Sequence, residues 1–358
     1  MRDRTRSGSL LVVVSARAGV TDSLERVLSQ RSASGRRHQF ATALARRHPG
    51  LPALGHLRLA ELEALLGRAS GEDRSRQTRR EEILAMGERI SAIWFAGLLT
   101  RSGIPSTPLD SDGAGLRVRG RGARARIDIE RSRARFSAAV RRVRSAGSVP
   151  VITGYFGRTG GGSVRTLGRG SSDYVAGAVA AMVRASEAEL VKGRDALRVI
   201  DPALLLGAAT VPRLSYRLAA AAGRAGWAVI DPRTVNPLRR AGIPLRITSL
   251  ASERVSSLVS NSAHERDPFL VVVQSPRPAR RGSSRLPASR ARELTVLGPS
   301  RAAVLARLLP LAERLRLPIR YGRDSIVLRV PTRRLRPVLE ALATRTDSAG
   351  AARWPRRA

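Results

Sequence analysis

The chain lacks cysteine altogether, and Lys192 is the single lysine among its 65 basic residues. The absence of cysteine excludes disulfides, thiolate metal sites and cysteine nucleophiles. Four scattered histidines show no ligand spacing, so we expect no metal site built on histidine. Aromatic residues make up only 3% of the sequence, so the core must consist mainly of alanine, leucine and valine.

Long hydrophobic runs are also missing. The longest ones, Leu10–Val14 and Phe269–Val273, are as long as a strand, whereas a membrane-spanning helix needs about 20 apolar residues. The basic and then apolar N-terminus is too short in its apolar part for a signal peptide. We therefore expect a cytoplasmic protein without a membrane segment.

Hydrophobic residues make up 42% of the 358 residues, which predicts a folded protein of about two domains. The net charge of +37 has two interpretations. It is typical of a polyanion-binding surface, but the near-total preference for arginine over lysine also fits a coding bias. On either interpretation we expect non-specific polyanion binding at low salt.

Apolar strand-sized runs alternate with helical patterns along the first 250 residues, which predicts an α/β fold with a mostly parallel sheet. The predicted strands are Leu10–Ser15, Ile104–Leu109, Val149–Thr153, Ala188–Lys192, Trp227–Ile230 and Ile243–Ile247. The Gly/Arg-rich segment 111–126 is predicted as a solvated loop, with an RGG-like nucleic-acid segment as the alternative. A β-α-β-β-α succession follows at 293–343 and predicts a ferredoxin-like α+β module.

Glycines are dense between Gly154 and Gly170. Glycine allows a close backbone approach and left-handed conformations, so such a stretch can cradle an anion or form a surface loop. The chain contains neither a Walker-type GxxxxGK[ST] motif nor a GxSxG nucleophile elbow, which excludes two common classes of site.

Four blocks in one order carry a family resemblance. They are VVVSARAGVTD (12–22), ILAMGERISA (83–92), VPVITGYFGRTGGGSVRTLGRGSSDYVAGAVAAMV (149–183) and GWAVIDPRTVNPLRRAGIPLRI (226–247). Together they resemble the aspartate kinases of the amino-acid kinase family, and LGRGxSDY is the most specific of them. The resemblance implies an α/β/α sandwich with a mostly parallel sheet, followed by an ACT-type regulatory module.

The implied domains are a kinase domain at 1–250 without the family's first strand and lysine loop, a linker with one strand at 251–291, an ACT-like module at 292–345 and a disordered tail at 346–358. The implied reaction transfers a phosphoryl group from ATP, with Mg²⁺, to the side-chain carboxylate of L-aspartate, the first step towards lysine, threonine and methionine. The resemblance also suggests a homodimer formed through the C-terminal module, for which Phe269–Gln274 is predicted to offer an exposed apolar strand.

Matching the motifs position by position assigns expected roles. Ser15 and Thr21 belong to the small-residue loop near the substrate, Glu88 contacts the amino group of aspartate, Arg169 holds the substrate carboxylate, and Asp173 organises the catalytic centre. The expected nucleotide contacts are Gly168, Gly170, Ser171, Asp195 and Asp201. No metal ligand is assigned in the protein itself. Thr21 and Asp173 could instead be plain helix caps.

Departures from the family pattern lie on the ATP side. The lysine-bearing KFGGTSV motif is not found, a Thr-Asp pair is replaced by Lys192–Gly193, and a lysine is replaced by Ala228. Three interpretations stay open: a start further upstream, a weakly active or non-catalytic regulatory paralogue, or an arginine-rich polyanion-binding protein on this fold.

Overall fold

The computed structural model describes residues 10–29, 36–67, 73–193, 197–201, 203–227, 230–250, 255–261, 268–274, 291–322 and 325–344. The chain divides into two compact units, residues 1–183 and 184–358. This division differs from the predicted boundary near residue 250, and the predicted domain limits stay a prediction.

The elements of the first unit are, in chain order, β1 (Val12–Val14), α1 (Val20–Ser29), α2 (Arg36–Arg46), α3 (Ala53–Gly67), α4 (Asp73–Arg101), β2 (Ser106–Leu109), β3 (Val118–Arg119), β4 (Arg126–Ile127), α5 (Ile129–Ser145), β5 (Val149–Thr153), β6 (Phe156–Arg158), β7 (Val164–Thr166) and α6 (Ser172–Val183). The elements of the second unit are β8 (Ala188–Lys192), β9 (Arg213–Ser215), α7 (Tyr216–Arg224), α8 (Pro232–Ala241), β10 (Leu245–Ser249), β11 (Val255–Ser260), β12 (Leu270–Gln274), β13 (Ala291–Leu297), α9 (Arg301–Leu315), β14 (Ile319–Tyr321), β15 (Ser325–Pro331) and α10 (Leu335–Thr344).

A parallel sheet in the order β1-β5-β2 lies at the centre of the first unit. Successive side chains of a strand point to opposite faces of a sheet. Val151 accordingly packs with α4, while Ile152 packs with α5 and α6. Apolar residues therefore cover both faces of the sheet, which explains why β1 and β5 are apolar runs rather than alternating ones.

Helix α4 is the core helix of the first unit. Its apolar residues, among them Ile83, Leu84 and Ile90, are buried against α1, α2 and α3. The stretch Arg76–Arg101 is long and apolar enough to cross a membrane by length and composition, yet 67% of its apolar window is buried inside the protein. That burial is the environment of a core helix.

The second unit contains two separate sheets. One has the order β8-β10-β11-β9, in which β10 pairs parallel with β8 and antiparallel with β11. Helix α8 was not predicted from the sequence, although both of its ends carry typical capping residues. Asp231 caps its N-terminus, and Gly242 ends it in the left-handed conformation. The middle of the predicted strand Trp227–Ile230 lies outside the described residues.

The other sheet is antiparallel, in the order β12-β13-β15-β14, and is accompanied by α9 and α10. The predicted β-α-β-β-α succession is present from β13 to α10. The prediction that Phe269–Gln274 forms an exposed apolar strand is wrong: Leu270, Val271 and Val272 are all buried. One cause is that β12 also contacts a segment beyond its own sheet, since the Val271 amide donates to the Val199 carbonyl at 2.7 Å.

Three other sequence expectations need correction. The predicted linker 251–291 contains two strands within the described residues, β11 and β12, rather than one. The glycine-rich stretch is not a simple loop, because β6 and β7 pair antiparallel within it. The Gly/Arg-rich segment 111–126 likewise contains β3 paired with the start of β4. The predicted tail at 346–358 lies outside the described residues.

Candidate active site

Three chain segments meet at one edge of the first sheet. Strands β1 and β5 are parallel neighbours, so their carboxyl ends, Val14 and Thr153, lie side by side. The N-terminus of α6 reaches the same edge, where the hydroxyl oxygens of Ser15 and Ser172 are 2.7 Å apart. Ligands of open α/β sheets bind at the carboxyl ends of the strands. This edge is therefore the candidate site.

Gly154 makes the close approach possible. Its amide donates to the Val14 carbonyl at 2.8 Å. A Cβ atom at this position would lie 2.6 Å from the Ser172 hydroxyl oxygen and 2.9 Å from the Val14 carbonyl oxygen. A side chain at 154 would therefore push the start of α6 away from the end of β1.

Glu88 lies on α4 beneath the loop that follows β1. The side chain is 3% exposed, and its Oε1 accepts a hydrogen bond from the Ala16 amide at 3.3 Å. The buried Oε2 has no hydrogen-bond partner among the described residues. Burial raises the pKa of this carboxyl to about 8, although the Ala16 amide opposes the shift. Glu88 is thus a buried acid with one oxygen left for a ligand.

Two further features hold the loop after β1 close to α4: a second hydrogen bond and the glycine at position 87. The Arg17 amide donates to the Ser91 hydroxyl at 3.2 Å, one turn after Glu88. A Cβ at Gly87 would lie 3.1 Å from the Cβ of Ala16. The glycine of the GER motif thus allows the loop backbone to reach the Glu88 carboxyl.

Tyr155 lies close enough to Glu88 for that carboxylate charge to act on its phenol. It follows Gly154 directly, is 6% exposed and adopts a left-handed φ of 68°, which a bulky residue rarely does. Burial raises the pKa of its phenol to about 12, and the charges of Glu88 and Glu25 add to the shift. The sequence analysis did not single out this tyrosine. Its position inside the TGYFG block was the only available signal.

Arg169 lies in the loop between β7 and α6, and its side chain is 62% exposed. Its guanidinium contacts two carboxylates of α1, Asp22 at 2.6 Å and Glu25 at 2.5 Å. These hydrogen bonds raise the pKa of Arg169. Thr21 is half-buried in the first turn of the same helix. Arg169 therefore lies beside α1, where the carboxylates of Asp22 and Glu25 bind its guanidinium group.

The loop from Gly168 to Asp173 leads into α6. Gly168 and Gly170 have φ values of 88° and 75°, a left-handed conformation that favours glycine. Ser171 is fully buried, and its hydroxyl donates to the Tyr155 carbonyl at 3.5 Å, so this hydroxyl is used within the protein. Ser172, which the sequence analysis did not select, makes the contact with Ser15. Asp173 lies in the first turn of α6.

The remaining predicted nucleotide contacts belong to the second unit. Asp201 is exposed, and its carboxylate accepts the Ala203 amide at 2.9 Å. Asp195 and Ala228 lie outside the described residues. Within the described ranges, no three histidine, aspartate or glutamate side chains are grouped as a metal site would require.

A cluster of buried charges lies behind Glu88. The Arg89 guanidinium donates to Asp110 and, at 3.1 Å, to Asp112, and it lies 4.8 Å from the centre of the Phe156 ring. Arg158 of β6 contacts the same Asp112 carboxylate at 2.7 Å. These contacts tie α4 to the β6–β7 hairpin. The sequence analysis missed this cluster because its members are far apart in the chain.

Comparisons with known proteins show the fold and the family of this chain. The Amino acid kinase family profile matches residues 2–249. The fold resembles that of E. coli aspartokinase III in complex with aspartate and ADP, with a TM-score of 0.74, 18% identity and coverage of 96% of this chain and 94% of that one. A Clostridium acetobutylicum aspartate kinase gives a TM-score of 0.66 at 12% identity, covering 94% of this chain and 92% of the other.

The chain therefore belongs to the amino acid kinase family. Within that family, its sequence is similar to aspartokinases. The Schizosaccharomyces pombe aspartokinase is 28% identical over 56% of this chain and 38% of its own length. Bacillus subtilis aspartokinase 1 is 27% identical over 56% of this chain and 48% of its own length. The matched region thus spans less than half the length of these relatives.

Proposed function

We propose that this chain is an aspartate kinase-like phosphotransferase that binds L-aspartate at the sheet edge of the first unit and takes its phosphoryl group from Mg-ATP. Glu88 is the observation that carries the proposal. A buried carboxyl with an unpartnered oxygen is costly, and a substrate ammonium group would supply the missing donor. That donor would also favour the ionised form of Glu88.

Arg169 is proposed to hold the α-carboxylate of the substrate. A guanidinium can grip a carboxylate through two parallel N–H donors. The Arg169 head group pairs with Asp22 and Glu25, so these two carboxylates hold it beside the site and would compete with a substrate carboxylate. Ser15, Thr21 and Ser172 are proposed to contribute hydroxyl groups around the bound amino acid.

In the reaction, an oxygen of the substrate's side-chain carboxylate forms a bond to the γ-phosphorus of ATP. The bond from that phosphorus to the β,γ-bridging oxygen breaks, so ADP leaves with the electron pair and 4-phospho-L-aspartate forms. Catalysis of this kind depends on positioning and charge neutralisation. We propose that the amides at the start of α6 and Asp173 organise this centre, and that Gly168 and Gly170 contact the nucleotide.

A second candidate function is a regulatory subunit that binds aspartate without turnover. It is favoured by Lys192–Gly193, which replaces the Thr-Asp pair of the family pattern. Loss of one group that neutralises transferring charge commonly costs about 10²–10³ in rate. On this alternative, aspartate binds normally while Mg-ATP binds weakly.

Calorimetric titration of the full chain with L-aspartate and, separately, with Mg-ATP tests both candidates. We expect aspartate binding that weakens at least ~30-fold in both Glu88→Ala and Arg169→Ala, since each truncation removes a charged hydrogen-bond partner that the bound ligand would shield from water. Arg119→Ala, an exposed arginine on β3, is the control and should bind aspartate like the parent. A hydroxamate assay for the acyl phosphate then separates slow turnover from none. Unchanged aspartate affinity in both folded variants would refute the site.

We further propose that the antiparallel sheet of the second unit is an ACT-type regulatory module that pairs two chains into a homodimer. Its βαββα succession with an added edge strand supports the assignment. Because β12 is buried, the dimer contact is proposed at the opposite edge. There β14 carries Tyr321, which is 62% exposed. A cytoplasmic location is part of the same proposal.

A further inference from the structure

Positive charge is concentrated in one segment of the first unit. Residues 117–145 hold eleven arginines against Asp128 and Glu130, a net charge of +9 over 29 residues. The whole chain carries +37 over 358 residues, so this segment is about three times as dense in positive charge. A coding bias alone raises arginine along the whole chain and does not account for such a concentration.

The β3–β4 hairpin presents part of this charge in an unfavourable arrangement. Val118 and Ile127 are buried, while Arg119 and Arg126 are exposed and lie directly opposite each other in the strand register. Like charges at directly opposed positions destabilise a strand pair. An anion bound across both guanidinium groups would remove this repulsion.

Helix α5 carries further exposed arginines. Its buried side carries Phe136, Ala139 and Val140. Arg131, Arg135 and Arg142 are exposed, and their spacing places them on one helix face along about 16 Å.

The hairpin and the helix form one body. The Arg117 amide donates to the Ser132 hydroxyl at 2.8 Å, and the apolar residues of both elements share one core cluster. The arginines are therefore held on a rigid scaffold rather than on a free loop.

We propose that this hairpin–helix face, defined by Arg119, Arg124, Arg126, Arg131, Arg135 and Arg142, binds the phosphate backbone of double-stranded nucleic acid without reading its sequence. The described residues of the segment include no large exposed apolar side chain. The face thus lacks the aromatic platforms that stack single-stranded bases and the apolar side chains that insert into a lipid interface. Guanidinium groups on a fixed scaffold suit phosphate contacts.

Fluorescence anisotropy tests the proposal with labelled DNA and RNA duplexes of about 20 base pairs, in two unrelated sequences, between about 50 and 200 mM KCl. The first variant of the full chain combines Arg119→Gln, Arg131→Gln and Arg142→Gln. The matched control combines Arg301→Gln, Arg314→Gln and Arg333→Gln, which removes the same charge from exposed arginines of the second unit. Circular dichroism verifies that both variants fold.

We expect the parent chain to bind at least one of the two duplex types, DNA or RNA. It should bind the two unrelated sequences of that duplex with equal affinity. Each phosphate contact contributes about −0.9 to the slope of log affinity against log salt. The hairpin–helix variant lacks three arginines, so its slope should be less steep than that of the parent by about 2–3. Its affinity at about 100 mM salt should fall at least 10-fold, whereas the control should change less than about 3-fold.

Equal losses in the two variants would overturn the proposal, because binding would then follow net charge alone. It would also be overturned if phosphatidylserine vesicles or poly-glutamate bound more tightly than both duplexes and depended on the same arginines.

Discussion

Replacing Glu88 by glutamine should change how the stability of this protein depends on pH. The pKa of Glu88 in the folded chain is raised to about 8 by burial, while a glutamate in an unfolded chain has a pKa of about 4.3. As the pH rises, the unfolded chain therefore loses its proton first. The free energy of unfolding of the parent falls between these two pKa values and is level above the higher one.

The size of the effect follows from the separation of the two pKa values. One pKa unit corresponds to about 1.4 kcal/mol, so the parent should lose about 3–5 kcal/mol of stability between about pH 4.5 and pH 8 through this one group. Glu88→Gln has nearly the same shape but stays neutral. We expect similar stabilities of parent and variant near pH 4 and a more stable variant above pH 8.

Urea unfolding followed through tryptophan fluorescence, to which Trp94 on the same helix as Glu88 contributes, provides the measurement. The difference between parent and variant cancels the contributions of other titrating groups. Glu82→Gln, a half-exposed glutamate of α4, is the matched control and should follow the parent profile. Parallel profiles for the parent and Glu88→Gln would refute the assignment of a buried, neutral carboxyl.

Three other predictions follow from contacts in the structure. Arg89→Leu leaves buried carboxylates without a main partner and should lower the free energy of unfolding by about 3–5 kcal/mol in urea titrations. Gly154→Ala should lower Tm and weaken aspartate binding, because its Cβ would lie 2.6 Å from the Ser172 hydroxyl oxygen; Gly160→Ala, in open space, should not. Tyr321→Glu should shift the full chain from dimer to monomer in light scattering if β14 is the dimer edge; an unchanged mass would contradict that placement.

The strands that could be predicted from sequence are mainly apolar runs between helical patterns, whereas short polar strands such as Phe156–Arg158 and Val164–Thr166 were missed. Val149–Thr153 and Ala188–Lys192 were predicted with their observed bounds. The prediction of β12 as an exposed strand failed for a general reason. A continuous apolar run indicates burial, and the identity of the covering segment depends on long-range contacts that periodicity does not encode.

The candidate site could be predicted only in part, again because its contacts join residues that are far apart in the chain. Motif order identified Ser15, Glu88 and Arg169, but not the contacts that each of them makes with other residues. The structure shows that Glu88 and Arg169 have opposite environments, one buried beneath a loop and the other exposed and held by carboxylates. Tyr155 and Ser172 enter the site only through the crossing of β5 and α6 at the sheet edge.

The arginine excess of this chain serves physically different purposes at different positions. Arg89 is buried and donates through its two terminal nitrogens to two carboxylates, a geometry that one lysine ammonium cannot reproduce. Arg131 and Arg142 are exposed on α5, where a phosphate contact needs mainly a positive charge and lysine could replace them. A coding bias can account for the choice of arginine over lysine at the exposed positions, but not for the clustering of charge on the hairpin–helix face. The net charge alone therefore does not show whether coding bias or selection for a contact put an arginine at a given position. Each position has to be assessed by the contacts that its side chain makes.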